Sequence, residues 1–155
     1  MSGLIELAEL WLIRPHLFLP DRNRSIGFFM NQPCVLDVGN CGPDHSSIRR
    51  MLTTNFGAEV IQTHGLEDTL AALEKHSVDL VLINRKMDND YSDGIVILEE
   101  IKAKPEYLEL PVMLITNYAE HQARAVAVGA LPGFGKLEIN SPETRAKLAS
   151  VLEVR

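Results

Sequence analysis

A few polar residues sit at the ends of apolar runs, where they could do chemistry. Asn84 closes Val78-Asp79-Leu80-Val81-Leu82-Ile83, and Thr116 closes Pro111-Val112-Met113-Leu114-Ile115. Gly39 and Asn40 follow Cys34-Val35-Leu36-Asp37-Val38, and Lys136 follows Pro132-Gly133-Phe134-Gly135. An amide hydrogen-bonds well, but its oxygen lacks the nucleophilicity of a carboxylate and is a weaker ligand for hard cations such as Mg²⁺. A threonine hydroxyl attacks only with a base beside it. Lysine supplies a point charge. Gly39-Asn40-Cys41-Gly42 can turn backbone N–H groups toward a ligand. This set is suited to binding and poorly suited to nucleophilic attack.

A second candidate is the acidic loop Asp88-Asn89-Asp90-Tyr91-Ser92-Asp93. Asp88, Asp90, Ser92, Ile95 and Glu99 fall at calcium-loop positions 1, 3, 5, 8 and 12. Position 6, however, is Asp93 where the turn glycine belongs, and a strand precedes the loop where a helix should. It reads as a solvated loop leading into a helix. His16, His45, His64, His76 and His121 have no Cys or carboxylate at ligand spacing and are expected at the surface. No metal or cofactor is expected.

The elements that position these residues follow from periodicity. Val78–Asn84 is the near-continuous apolar run of a strand covered on both faces by helices. Cys34–Val38, Ala58–Thr63, Pro111–Thr116 and a weaker Pro132–Gly135 complete five strands. Helices are expected from Pro43-Asp44 through Ile48, Met51 and Leu52 to Gly57, and over Leu66–His76. A third follows Ile95, Leu98 and Ile101 and stops before Pro105, and a fourth spans Glu120–Gly129. A last helix is capped by Ser141 with Pro142 at its first position. Strict β–α alternation with right-handed crossovers predicts a flavodoxin-like, doubly wound α/β fold. Its parallel five-stranded sheet takes the order 2-1-3-4-5. Sites in such sheets gather beyond the carboxyl ends of the strands, where all the residues above belong.

Composition sets the limits. A chain of 155 residues with 46% hydrophobic and 23% charged residues suits one globular domain. A net charge of −6 argues against a nucleic-acid surface. No apolar run is long enough for a membrane span, and Leu4–Leu19 makes a poor signal peptide, so a cytoplasmic protein is expected. Cys34 and Cys41 are too few for a disulfide framework and read as small buried or semi-buried hydrophobes. Residues 1–33 differ from the rest and read as an N-terminal extension. It could be a short helix over Leu4–Trp11 ended by Pro15, a disordered tail, or a segment upstream of a start at Met30.

Residues 34–155 resemble a response-regulator receiver domain. The resemblance rests on Val35-Leu36-Asp37-Val38, the strand Asp79–Ile83, Asp93-Gly94, the strand Pro111–Thr116, and Gly129-Ala130 seven residues before Lys136. Receivers accept a phosphoryl group on an aspartate ending strand 3. They hold Mg²⁺ with it and an acidic pair after strand 1, and they sense the phosphoryl group with a Ser or Thr and a Lys. The resemblance places Thr116 and Lys136 in the sensing roles. At the phosphoacceptor position stands Asn84, and at the acidic pair stand Gly39 and Asn40, which leaves Lys136 as the nearest charge. Asp37 lies deeper in strand 1, and Asp44 in the first turn of helix 1 favours the helix N-terminus; neither is expected to compensate. Gly133 occupies the place of the aromatic switch residue found in many receivers, with Phe134 turned into the core and Leu137 where a proline is usual.

The resemblance therefore implies a degenerate pseudo-receiver in two-component phosphorelay signalling. It would be no enzyme and independent of phosphorylation, and it would act as a protein-interaction module. Its partner would be a histidine kinase, an output protein or a second copy. The contact face would be helix 4, strand 5 and helix 5, around Val126, Leu131 and Ala146. The alternatives are phosphorylation at a non-standard residue such as Thr116, or small-ligand binding at the flavodoxin-like edge. If Asn84, Gly39 and Asn40 are the lost carboxylates, then Asn84→Asp, Gly39→Asp and Asn40→Asp together are expected to rebuild a Mg²⁺ site.

Overall fold

The computed structural model describes residues 32–153, so the expected Leu4–Trp11 helix lies outside the described residues. Five strands alternate with five helices: β1 Cys34–Val38, α1 Gly42–Phe56, β2 Glu59–Thr63, α2 Leu66–Lys75, β3 Leu80–Asn84, α3 Gly94–Lys102, β4 Val112–Ile115, α4 Ala119–Ala127, β5 Leu131–Phe134 and α5 Pro142–Leu152. Single 3₁₀ turns at Pro105–Tyr107 and Lys136–Glu138 were not foreseen. The strands are all parallel in the order β2-β1-β3-β4-β5, as periodicity predicts.

The two faces of the sheet bury separate cores. Val35, Leu80, Leu82, Met113, Ile115 and Phe134 meet Ile48, Met51 and Leu52 of α1 and Leu148 and Leu152 of α5. Leu36, Val38, Val81, Ile83 and Leu114 meet Leu73 of α2, Ile97, Leu98 and Ile101 of α3, and Ala125 of α4. This split explains why β1, β3 and β4 lack regular polar–apolar alternation: apart from Asp37 and Asn84, their side chains are buried on one face or the other. Phe134 is buried beside Ile115, as its pleat position requires.

Register then fixes the edge. Val38 pairs with Ile83, and Asn84 with Ile115. The residues immediately past β1, β3 and β4 are therefore brought to one level. Ser141 caps α5 by accepting from the Thr144 N–H at 3.1 Å, and Asp93 caps α3 by accepting from the Ile95 N–H at 3.2 Å. The second cap aligns α3 just beyond Asn84. Gly94 permits it: a Cβ there would run into the Asn84 carbonyl.

Candidate functional site

Asn84 is a donor in this structure. Its Nδ2 gives one hydrogen bond to the Gly39 carbonyl at 3.1 Å and a second to the Lys86 carbonyl at 2.7 Å. Both N–H groups of the amide are thereby used, and the strand end is tied to the β1 turn and to its own following loop. Gly39 takes φ +77°, and any Cβ on it would overlap the buried Met87 side chain. The turn thus needs glycine for its backbone and for its space.

Asn40 points inward. It is fully buried, and its Nδ2 donates to Asp37 Oδ1 at 2.6 Å. The other Asp37 oxygen lies 2.6 Å from His45 Nδ1 in the first turn of α1. His45 is therefore not a plain surface residue as expected; its side chain is only 14% exposed. Burial pushes the Asp37 carboxyl above its usual range, opposed by the hydrogen bonds from His45 and Asn40 and the charge of Lys136. Asn40 Oδ1 is buried without a hydrogen-bond partner among the described residues. A carboxylate inside an otherwise apolar strand demands donors. That demand was the signal that Asp37 would recruit neighbours across the glycine turn.

Lys136, which the sequence left as the nearest charge to the site, is held by a carboxylate. Its Nζ donates to Asp44 Oδ2 at 2.6 Å, across 92 residues of sequence. The hydrogen bond from Lys136 draws the Asp44 carboxyl below its usual range, against a smaller opposing effect of burial. Asp44 does lie in the first turn of α1, as read, but its second role was not legible. Cys41, expected to be at least half buried, is exposed and reaches Asp44 Oδ2 at 3.4 Å. Thr116 is buried, and its Oγ1 accepts from the Tyr118 N–H at 3.2 Å. Between the ends of β3 and β4 lies a cleft of about 220 Å³. It is lined by Asn84, Arg85, Lys86, Ile115, Thr116, Asn117, Tyr118 and Lys136. Arg85 and Lys86 went unremarked in the sequence because they lie in a loop with no periodicity to mark them.

Three carboxylates of the acidic loop are engaged, two locally and one across to the turn after β2. Asp90 Oδ1 accepts from the Ser92 N–H at 2.9 Å, Asp93 caps α3, and Asp88 lies 3.1 Å from His64 Nδ1. Among the described residues no cluster of His, Cys, Asp or Glu is arranged to hold a metal. The five edge residues fare no better as a Mg²⁺ site. Asn84 aims hydrogens at the two carbonyl oxygens beside it, and both Asp37 oxygens are engaged inside the fold. A hard cation needs oxygen lone pairs turned to one point, and these groups do not fit that need.

On the far side of the sheet's edge, Val126 and Leu131 are 43% and 39% exposed, and Ala146 is also exposed. None of the described helices is long and apolar enough to cross a membrane.

Solved structures share this architecture. A signal receiver domain of a DNA-binding response regulator from Colwellia psychrerythraea 34H aligns at 21% identity with a TM-score of 0.66, covering 79% of this chain and 99% of that one. The receiver domain of NtrX from Brucella abortus aligns at 24% identity and TM-score 0.62, covering 78% and 99%. A sensor protein from Polaromonas sp. JS666 aligns at 12% identity and TM-score 0.68, covering 79% and 98%. No curated protein matches the sequence. The family profile described as the response regulator receiver domain matches residues 44–133, more than half of the chain. With the sheet order and edge geometry above, that match identifies the chain as a member of the response regulator receiver domain family.

Proposed function

We propose that this receiver is a pseudo-receiver: it works in two-component signalling by being bound, without accepting a phosphoryl group. The carrying observation is the Asn84 amide, whose two N–H groups are spent on the Gly39 and Lys86 carbonyls. An acceptor aspartate would present oxygen lone pairs at this point; the amide presents donors. Phosphoryl transfer relies on positioning and on neutralising charge, commonly through a metal. Asn84, Gly39 and Asn40 provide neither nucleophile nor anionic ligands, and Lys136 is engaged by Asp44. Thr116 has no base within hydrogen-bond reach among the described residues, so its hydroxyl stays a weak nucleophile. On this reading residues 34–155 form the binding body and residues 1–33 an extension, in a cytoplasmic protein with no catalysis of its own. The partner is a protein: a histidine kinase, an output protein or a second copy. The exposed Val126, Leu131 and Ala146 on α4, β5 and α5 are the contact face that fits it.

Incubation with acetyl phosphate and Mg²⁺, followed by intact mass spectrometry, tests the reading. The mass is expected to stay unchanged. Covalent gain of one phosphoryl group, at Thr116 or elsewhere, would overturn it.

A further inference from the structure

β5 does not pair evenly with β4. Met113 lies opposite Leu131 and Ile115 opposite Phe134, so Pro132 and Gly133 together face Leu114 alone. Such a bulge leaves backbone groups without ladder partners, and Pro132 has no N–H to offer. Four backbone groups around it are met by side chains from the flanking helices. Gln122 of α4 accepts from the Gly133 N–H at 2.9 Å through Oε1. Its Nε2 donates to the Leu114 carbonyl at 2.9 Å and to the Thr116 carbonyl at 3.2 Å. Lys147 of α5 donates from Nζ to the Gly133 carbonyl at 2.8 Å. Ala125 of α4 packs on one face of the sheet and Leu148 of α5 on the other, so Gly133 is held from both.

From these contacts we infer that Gln122 and Lys147 form a latch across α4, β4, β5 and α5, which keeps the α4–β5–α5 face in one arrangement and presents it to a protein partner ready-made. The inference rests on the proposed reading of that face as the contact surface, and it names what governs the surface. A glutamine amide suits the task because it carries an acceptor and two donors in one plane, matched here to one N–H and two carbonyls. Both latch side chains are half-buried and Gly133 is buried, so a broken contact leaves polar backbone poorly placed to recover its bond from water. Gly133 stands where many receivers carry the aromatic switch residue. A Cβ there would run into the Leu114 carbonyl and crowd the Gln122 amide, so the position has no room for a side chain. A bridge from α4 occupies the place of a rotating ring.

The test is relaxation dispersion and amide hydrogen exchange on the ¹⁵N-labelled full chain, wild type against Gln122→Leu, with no partner added. Wild type is expected to show no μs–ms exchange over α4, β5 and α5. Gln122→Leu keeps the bulk of the side chain and removes every donor and acceptor. It should bring μs–ms exchange to residues 119–134 and 142–152 and leave β1 and β3 quiet. It should also speed hydrogen exchange of the Gly133 amide by about tenfold more than that of Leu36 and Leu82, whose shared change reports global stability. Lys147→Met leaves the Gln122 amide in place and should produce the same pattern more weakly; it carries the test should Gln122→Leu not fold. μs–ms exchange across this face in wild type would overturn the inference. So would quiet variants, or a Gly133 amide that gains no more than Leu36 and Leu82. These readouts need neither a phosphoryl donor nor a partner. A covalent adduct with acetyl phosphate would sink the pseudo-receiver reading and leave the latch to stand or fall on its own exchange data.

Discussion

Rebuilding the metal site should fail, and Asn40→Asp shows why most clearly. From sequence, carboxylates at Gly39, Asn40 and Asn84 are expected to restore Mg²⁺ binding. The geometry argues against this at Asn40, which is fully buried and donates to Asp37 Oδ1 at 2.6 Å. An aspartate in the same rotamer loses that charge-assisted hydrogen bond, worth about 1.5–3 kcal/mol. It also sets a second carboxylate in contact with a buried first one. Two such groups cannot both stay ionised, so one takes up a proton and an O–H···O bond forms in place of the repulsion. Protonating a carboxyl of ordinary pKa, about 3.9, at pH 7 costs roughly 4 kcal/mol, at 1.36 kcal/mol per pH unit. That escape sets a ceiling. Asn40→Asp is therefore expected to cost about 2–4 kcal/mol at pH 7, a large share of a typical 5–15 kcal/mol stability. Because the escape consumes a proton, the penalty should shrink by up to about 2.7 kcal/mol between pH 7 and pH 5. Urea denaturation of wild type and variant at both pH values reads the difference. A penalty below about 1 kcal/mol, or one indifferent to pH, would refute the reasoning. So would a millimolar Mg²⁺-dependent rise in the variant's stability, since it would mean the new carboxylate turns outward to a cation.

Two further perturbations probe the same edge. Gly39→Ala should cost about 2–4 kcal/mol by urea denaturation, from about 1–2 kcal/mol for a Cβ at φ +77° and the rest from displacing Met87; a loss below about 1 kcal/mol would mean the turn relaxes freely. Asp44→Asn should cost about 0.2–1 kcal/mol at pH 7, because each partner of its bond to Lys136 is 37% exposed and solvent screens the pair. The sign of its pH dependence follows from the lowered carboxyl: the stabilisation is present above the ordinary value of 3.8 and is lost as pH falls through the depressed folded value. The wild-type and Asp44→Asn stabilities should therefore converge in acid, and a gap that widens there would contradict the assignment.

What was legible in the sequence and what was not divide along a physical line. The strand ends at Val38 and Asn84 were readable, and the fourth strand's end to within one residue (Thr116 expected, Ile115 observed), because periodicity reports burial, and burial on both faces leaves runs such as Leu80–Ile83 with no polar alternation. The helix start at Pro142 was readable because its cap is local, spanning three residues; the third helix was read from its apolar stripe, and its Asp93 cap came only with the structure. The Lys136–Asp44 pair had no local sign, since it joins the turn after β5 to the first turn of α1. His45 was misplaced because a histidine in an exposed first turn resembles any surface histidine until the carboxylate beneath it is located. Gly39 looked like a lost ligand position, yet its positive φ and the Met87 side chain over it make it a required glycine.

These misses share a cause that bears on function. A receiver edge that had merely lost its carboxylates would leave carbonyls and turns waiting for a cation, and a few substitutions would restore it. Here three of the candidate positions, and Asp44 beside them, each carry a structural contact. Asn84 bridges two carbonyls, Asn40 supports Asp37, Gly39 makes room for Met87, and Asp44 holds Lys136. The first three of these contacts work against an outward-facing carboxylate at their positions, and the fourth occupies the lysine with a carboxylate already present. On the pseudo-receiver reading proposed above, what remains is recognition of a fixed shape and charge, to which the exposed Val126 and Leu131 contribute.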